Sequence, residues 1–293
     1  MSKTLIDGVL LLDKPTGWTS NAVLQKTKRL FNAAKAGHTG TLDPFASGLL
    51  PICFGQAAKF SSHALHGDKA YRAVLKLGIT TTTGDIEGEV LETKPAAATL
   101  DAVLHVLPTF TGPLLQTPPM YSALKHQGRP LYEYARAGIE IERKPREVTI
   151  YSLSADKLDG DELTIDVRCS GGTYIRTLAE DIGKALGCGA HLIALRRTAS
   201  STFTLDQAVS LEALANMTEA QRLSILLPPD TLVAHLPRLD VDAETAQQLQ
   251  HGKSPDRPAG YSGRGMVRVY SPAGFLGLAS ADEKLTPSRL MAT

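Results

Sequence analysis

Cysteine is scarce in this sequence. The three present, Cys53, Cys169 and Cys188, are odd in number and far apart. That excludes a disulfide framework and a paired-cysteine zinc spacing, and it points to a reducing cytoplasm. Long apolar runs are missing too, since no stretch approaches the roughly 20 residues a membrane-spanning helix needs. The N-terminal "MSKTLIDGVLLLDKP" has too short an apolar run for a secretory signal and is broken by Asp7 and Asp13. No internal repeat or low-complexity tract interrupts the chain. An excess of charge is absent overall, the net charge being +1, so bulk electrostatics announces no nucleic acid. One local scarcity matters more. Between Lys14 and Phe60 stand Lys14, Lys26, Lys28, Arg29, Lys35, Lys59 and His38, against a single acid, Asp43.

What is present belongs to a globular protein. With 293 residues, 43% apolar and 21% charged, the chain can bury a core in one large or two ordinary domains. Its N-terminal fifth is basic, whereas "DIEGEVLE" and "LSADKLDGDELTID" are acidic. "GVLLLDKP" predicts a short buried strand ended by Pro15. "TSNAVLQKTKRLFN" predicts a helix capped by Thr19 or Ser20, with Val23, Thr27 and Leu30 on one face. Residues 37 to 55, "GHTGTLDPFASGLLPICFG", read as a glycine-punctuated loop, followed by a helix over "QAAKFSSHAL". "KAYRAVLKLGI" predicts a strand, and "TLDAVLHVLPTF" a helix with Leu100, Val103, Leu104 and Leu107 in register. "VTIYSLSADKLDGDELTIDVRCS" predicts a hairpin turning near Asp159-Gly160. "GGTYIRTLAEDIGKAL" predicts a helix behind a glycine pair, with Ile175, Leu178, Ile182 and Leu186 facing inward.

Residues 116 to 147 differ from their surroundings. Proline and glycine punctuate them, and Lys125, Arg129, Arg136, Arg143, Lys144 and Arg146 recur. They read either as an excursion that closes over an anionic ligand or as a solvated helical hairpin. A boundary is expected near 230 to 238, where "LLPPDTLVAHLP" breaks the pattern. Beyond it come a helix, "DAETAQQLQHG", and a hairpin around Pro272-Ala273-Gly274, a compact β-rich appendage.

Several common motifs fail. "HGKS" at 251 to 254 lacks the first glycine of a phosphate-binding loop, since Gln247 occupies its place. "GYSGR" lacks the second glycine of a nucleophile elbow. His63 and His66 have no third metal ligand nearby. Asp43 has two readings. Asp before Pro is a usual turn initiator. A carboxylate that must stay ionised near phosphates also gains from surrounding cations, and Gly37, Gly40 and Gly48 allow close backbone approach to a ligand. Arg176 pairs either with Glu180 on its own helix or with a group in a cleft. Tyr71 and Tyr174 are either core aromatics or platforms for a base.

The longer motifs carry a resemblance. "DKPTGWTS" at 13 to 20, "GHTGTLDPFASGLLPICFGQAAKF" at 37 to 60, "KAYRAVLKLG" at 69 to 78, "PPMYSALKHQGRPLYEYAR" at 118 to 136 and "GTYIRTLAEDIG" at 172 to 183 resemble the TruB family. Its members are bacterial tRNA pseudouridine synthases acting at position 55 in the T-loop. "SPAGFLGLA" is similar to a small PUA-type RNA-binding domain. Thr82 departs from the pattern, standing where family members often carry Asp, while Asp85 is retained.

The resemblance implies an α/β (α+β) catalytic domain over residues 1–236 with a mixed, mainly antiparallel sheet, and a PUA-like domain over 237–293. It implies that Asp43 is the essential aspartate, Arg176 its ion-pair partner, and Tyr71 the aromatic stacked on the target base. Tyr174, His38 and Leu195 match substrate-contacting positions, and 116 to 147 matches the segment folding over the T stem-loop. Isomerisation needs no cofactor and no metal, and the expected partner is tRNA, met by a cytoplasmic monomer. The uracil must leave the T-loop stack before reaction. Two rivals are a non-catalytic tRNA-binding protein and a glycoside hydrolase. The first has no need of both Asp43 and Arg176. The second needs another carboxylate, and none lies near Asp43 in sequence.

Overall fold

The computed structural model describes residues 3–292. Its centre is a ten-stranded mixed sheet. Strand β1 (Gly8–Lys14) shows why "GVLLLDK" is continuously apolar. Val9 and Leu11 enter one core layer, Leu10 and Leu12 the opposite one, so both faces are covered. Helix α1 (Ser20–Leu30) follows, its first turn closed by the Thr19 side chain accepting from the Ala22 amide. Val23, Leu24 and Thr27 are buried while Leu30 is only half-buried, so the inward stripe is shifted toward Leu24.

After β2 (Ala36–His38) the structure corrects the expected loop. Residues Ser47–Phe54 form β3, a buried strand lying against β1. Pro51 hid it. Its carbonyl accepts from the Thr39 amide at 3.2 Å, so its missing N–H faces that same edge and removes nothing from the β1 ladder. "QAAKFSSHAL" is a 3-10 turn over Gly55–Phe60 that passes into α2 (Ser61–His66).

Strand β4 (Lys69–Leu77) lies in the sheet interior, followed by a small hairpin of β5 (Ile79–Thr81) and β6 (Val90–Thr93). Thr82 closes that hairpin through the amide and carbonyl of Glu89. In α3 (Leu100–Val106) only half the expected register holds. Val103 and Leu107 are buried, while Leu100 and Leu104 are exposed. Strand β7 (Gly112–Gln116) forms the sheet edge. The 116 to 147 segment carries a minimal hairpin, β8 (Lys125–His126) with β9 (Arg129–Pro130), and helix α4 (Leu131–Arg136).

Strands β10 (Arg146–Asp159) and β11 (Glu162–Cys169) make the hairpin expected at Gly160. Helix α5 (Ile175–Ala185) packs Ile175, Leu178 and Ile182 onto the sheet. Strand β12 (Ala190–Ser200) then runs between β3 and β4, with β13 (Phe203–Thr204) and β14 (Val209–Ser210) on the margins. Seven of the sheet's pairings join β1–β3, β2–β3, β4–β11, β4–β12, β7–β10, β10–β11 and β12–β13 antiparallel; β1–β14 and β3–β12 are parallel. The sheet is therefore mixed and mainly antiparallel. Helices α6 (Leu211–Asn216) and α7 (Glu219–Ser224), both capped by hydroxyl side chains, lead out of it.

A second, four-stranded sheet contains β15 (Arg238–Asp240), β16 (Met266–Ser271), β17 (Gly274–Ala281) and β18 (Leu285–Leu290), with α8 (Ala243–Gln250) beside it. It has its own apolar centre around Leu249, Val267 and Val269. It also shares one. Leu278 and Phe275 pack with Phe60, Leu232 and Val233, and the Lys59 ammonium donates to the Leu290 carbonyl at 2.8 Å. Among the described residues no helix is long and apolar enough to cross a membrane.

Candidate active site

Asp43 sits in the connection between β2 and β3, and the loop around it is fixed by four backbone attachments. Ser20 Oγ bridges the Leu42 amide and carbonyl at 2.8 and 2.9 Å, the Gly17 amide donates to the Pro44 carbonyl, and the Ala46 amide donates to the Asp43 carbonyl. The last contact is the expected Asp-Pro turn, so the turn reading and the chemical reading of Asp43 hold together. Lys14, fully buried, donates to the carbonyls of Pro15 and Trp18 at 2.9 and 2.6 Å and reaches that of Pro44 at 3.4 Å. Burial lowers its ammonium to about 8, with Asp43 pulling the other way.

Arg176 comes from the first turn of α5. The chain enters that helix through Gly171, where a Cβ would stand 2.7 Å from the His66 carbonyl oxygen. Its side chain is 5% exposed, and each of its three nitrogens has a partner. Nε meets Asp43 Oδ2 at 3.1 Å, Nη1 meets Asp85 Oδ2 at 3.3 Å and the Thr83 carbonyl at 3.0 Å, and Nη2 donates to the Tyr121 carbonyl at 2.6 Å. Arg176 therefore pairs across the molecule rather than with Glu180. It ties four separate segments together, one of them the 116 to 147 excursion.

The two carboxylates on Arg176 differ in access. The Asp43 side chain is 33% exposed and that of Asp85 only 4%. Asp85 is further held by the Thr83 hydroxyl and the Glu87 amide on Oδ1. Burial pushes the Asp43 carboxyl above the usual carboxylate range; Arg176 opposes this, Asp85 reinforces it and Lys14 opposes it. Glu87 also lies within this field, raised by partial burial and by its neighbours Asp85 and Asp43. The absence of a second acid near Asp43 thus holds along the chain and fails in space. A carboxylate forty-two positions on is delivered by the turn after β5, and chain distance gave no signal of it beyond its place in the family pattern.

The other expected residues gather around this group. Tyr71, on β4, is 8% exposed, in the same core cluster as Leu42 and Ala46. Burial raises its hydroxyl, and the Arg197 charge opposes that. Leu195, on β12, is 8% exposed in the same cluster. Tyr174 precedes α5; its amide and carbonyl are locked on the Gln116 side chain at 3.0 and 3.2 Å. Burial raises its hydroxyl, and the nearby Arg176 and Arg146 charges oppose that. His38, on β2, is half-buried, and burial followed by the Arg197 charge lowers its imidazole. Gly48, expected to admit a ligand, is filled by protein: a Cβ there would lie 2.3 Å from the Arg197 carbonyl oxygen. Sequence reasoning also passed over Arg197, an unremarkable arginine in "LRRTAS" until the fold buries it.

Residues 28–175 match the TruB family pseudouridylate synthase (N terminal domain) model. The chain belongs to the TruB family. Residues 176–234 match the tRNA pseudouridylate synthase B C-terminal domain, and 237–291 the pseudouridine synthase II TruB C-terminal model. The chain is 57% identical over 294 residues to tRNA pseudouridine synthase B of Thiobacillus denitrificans, covering 100% of this chain and 98% of that protein. It is 51% identical over 296 residues to the protein of that name from Neisseria meningitidis, covering 100% and 97%. Among solved structures, a Cbf5-Nop10-Gar1 complex contains a chain superposing with a TM-score of 0.74 at 27% identity, over 97% of this chain and 84% of that one. A chain of the archaeal box H/ACA sRNP Nop10-Cbf5 complex superposes at 0.73 and 25%, over 98% and 86%.

Proposed function

We propose that this protein isomerises uridine to pseudouridine at position 55 in the T-loop of tRNA, with Asp43 acting on the flipped-out nucleotide. The observation that carries this is the unequal pair on Arg176: one carboxylate open to solvent, one sealed beneath it. Such an arrangement suits a carboxylate that meets substrate while a fixed guanidinium sets its direction and charge. The reaction breaks the N1–C1′ bond, turns the base and rejoins it through C5. Asp43 attacks C1′, attacks C6, or removes the 2′ proton; all three routes need it ionised.

Arg176 opposes the effect of burial and keeps Asp43 in that form. Tyr71 holds the uracil by its ring and takes the C5 proton. Tyr174, His38 and Leu195 contact the substrate around it. Residues 116 to 147 lie over the T stem-loop, an arrangement supported by the Tyr121 carbonyl on Arg176 and by Tyr174 on Gln116. Residues 1–236 form the catalytic unit, and 237–293 a PUA-like unit orienting the tRNA through phosphate contacts. The protein works as a cytoplasmic monomer without cofactor or metal.

The test is incubation with an unmodified tRNA transcript, then carbodiimide treatment and reverse transcription. A stop reporting pseudouridine at position 55 is expected. A transcript left unmodified, or modified only elsewhere, contradicts the assignment.

A further inference from the structure

Arg197 is 1% exposed and heads the largest fully buried side chains of the protein. No Asp or Glu pairs with it among the described residues. Nε donates to the Leu49 carbonyl at 2.7 Å and Nη2 to the Gly40 carbonyl at 3.3 Å. The Tyr71 hydroxyl lies within the electrostatic reach of this charge. Arg197 and Tyr71 stand directly opposite each other on the antiparallel β12–β4 ladder, so both side chains leave the same face. A bulge follows at once, between Arg197 and Ala199, and the close backbone approach at Gly48 locks Arg197 onto β3.

Burying a guanidinium without an anion is costly, and an apolar side chain would fill the space at lower cost. The site therefore keeps this charge for its effect on a neighbour, and Tyr71 is the titratable group that the strand register places directly opposite it. We propose that Arg197 is a positioning residue acting through Tyr71, fixing its hydroxyl and favouring its ionised form so that it receives the C5 proton. This rests on the function proposed above. Once C5 has joined C1′, it carries that carbon and its own hydrogen. The C5–H bond breaks, its electron pair returns to the pyrimidine ring, and the Tyr71 phenolate takes the proton. N1 ends protonated, so carbon loses a proton, nitrogen gains one, and no oxidant or reductant enters.

The other groups facing Tyr71 work against ionisation. Burial raises the hydroxyl most, and Cys169 on β11 and Asp43 in the loop add to it; Arg197 opposes them. The Arg197 charge also lowers His38, Lys14 and Lys69 nearby.

Arg197→Gln removes the charge and keeps a donor; Arg197→Lys keeps the charge. Single-turnover rates on tRNA carrying hydrogen or deuterium at C5 are measured for both, alone and with Tyr71→Phe. The Gln change is expected to slow conversion by on the order of 100-fold, to enlarge the C5 isotope effect and to leave tRNA affinity unchanged. The Lys change restores part of the rate. In the Tyr71→Phe background the Gln change adds no further loss. Equal losses with and without the Tyr71 hydroxyl, or an unchanged isotope effect, overturn the proposal. A second readout is independent of activity and of the Gln variant's folding. In protein labelled with carbon-13 at tyrosine Cζ, the Tyr71 resonance, identified by its loss in Tyr71→Phe, is titrated in native and Arg197→Met protein, the latter without the charge. A displaced titration supports the contact and an unmoved one overturns it. Absence of any pseudouridine would overturn the proposed function while leaving this titration to decide the contact.

Discussion

Removing the Arg176 guanidinium should unbalance two carboxylates at once, and removing one of them should repair part of the damage. In Arg176→Met the aliphatic stem stays, but Asp85, 4% exposed, loses its cation, and the Thr83 and Tyr121 carbonyls lose a donor. Breaking a buried ion pair by deleting one partner costs about 3–5 kcal/mol. Asp85→Asn alone keeps an acceptor for the Thr83 hydroxyl and Glu87 amide while leaving Arg176 with Asp43. The double variant has no unpaired buried charge at position 85. It should be more stable than Arg176→Met, and the coupling between the two changes should be about 2 kcal/mol, within the range for neighbours sharing one network. Urea unfolding of the four proteins at pH 7 closes the cycle. Neither variant lacking Arg176 should regain the native rate at pH 7, because Asp43 then has burial raising its carboxyl and no guanidinium opposing it. Its acid limb should move to higher pH, since the ionised form is reached only there. A double variant no more stable than Arg176→Met would refute the idea that Arg176 compensates Asp85.

Asp43→Asn should abolish turnover with tRNA affinity unchanged; residual turnover in a clean preparation would contradict its role. Tyr71→Phe should keep the ring contact, worth about 1–3 kcal/mol per stacked base, whereas Tyr71→Ala should also destabilise the fold by about 3–5 kcal/mol, measured by thermal unfolding beside RNA binding. Lys69, 5% exposed and held by the carbonyls of Ala64, Leu65 and Gly67, is lowered by burial to about 8. The unfolded chain then binds more protons between about pH 8 and 10.5, so stability rises with pH across that window. The native protein should gain up to about 3 kcal/mol over Lys69→Met there, while the raised Cys53 and Cys169 thiols act oppositely in both proteins. Cutting the chain after residue 236 should lower the melting temperature, because Phe60, Leu232 and Val233 lose their cover from Phe275 and Leu278; an unchanged melting temperature would show that the shared core contributes nothing.

The strands and helices with one strong period were legible in the sequence. β4 shows strict alternation, and α5 places Ile175, Leu178 and Ile182 at helical spacing. β3 was not, because proline and glycine advertise a loop, and a strand there is tolerable only because the missing N–H of Pro51 faces Thr39 rather than the β1 ladder. Asp43 was legible from the acids missing around it, and Arg176 from its place behind two glycines. Asp85 and Arg197 were harder. Their importance lies in what the fold brings opposite them, a guanidinium for one and a phenol for the other. The C-terminal segment was read correctly as a β-rich piece, but nothing in its sequence announced that Leu278 and Phe275 would complete the core of the larger sheet.

The central claim is that Asp43 drives uridine isomerisation in the T-loop. A tRNA transcript with tritium at C5 of its uridines measures this directly, because rejoining the base through C5 expels that hydrogen to water. The native protein should release the label from one T-loop uridine and no other, and Asp43→Asn should bind the same transcript and release none. Release by Asp43→Asn at the native rate, or native protein that binds the tRNA and releases no tritium, would contradict the account.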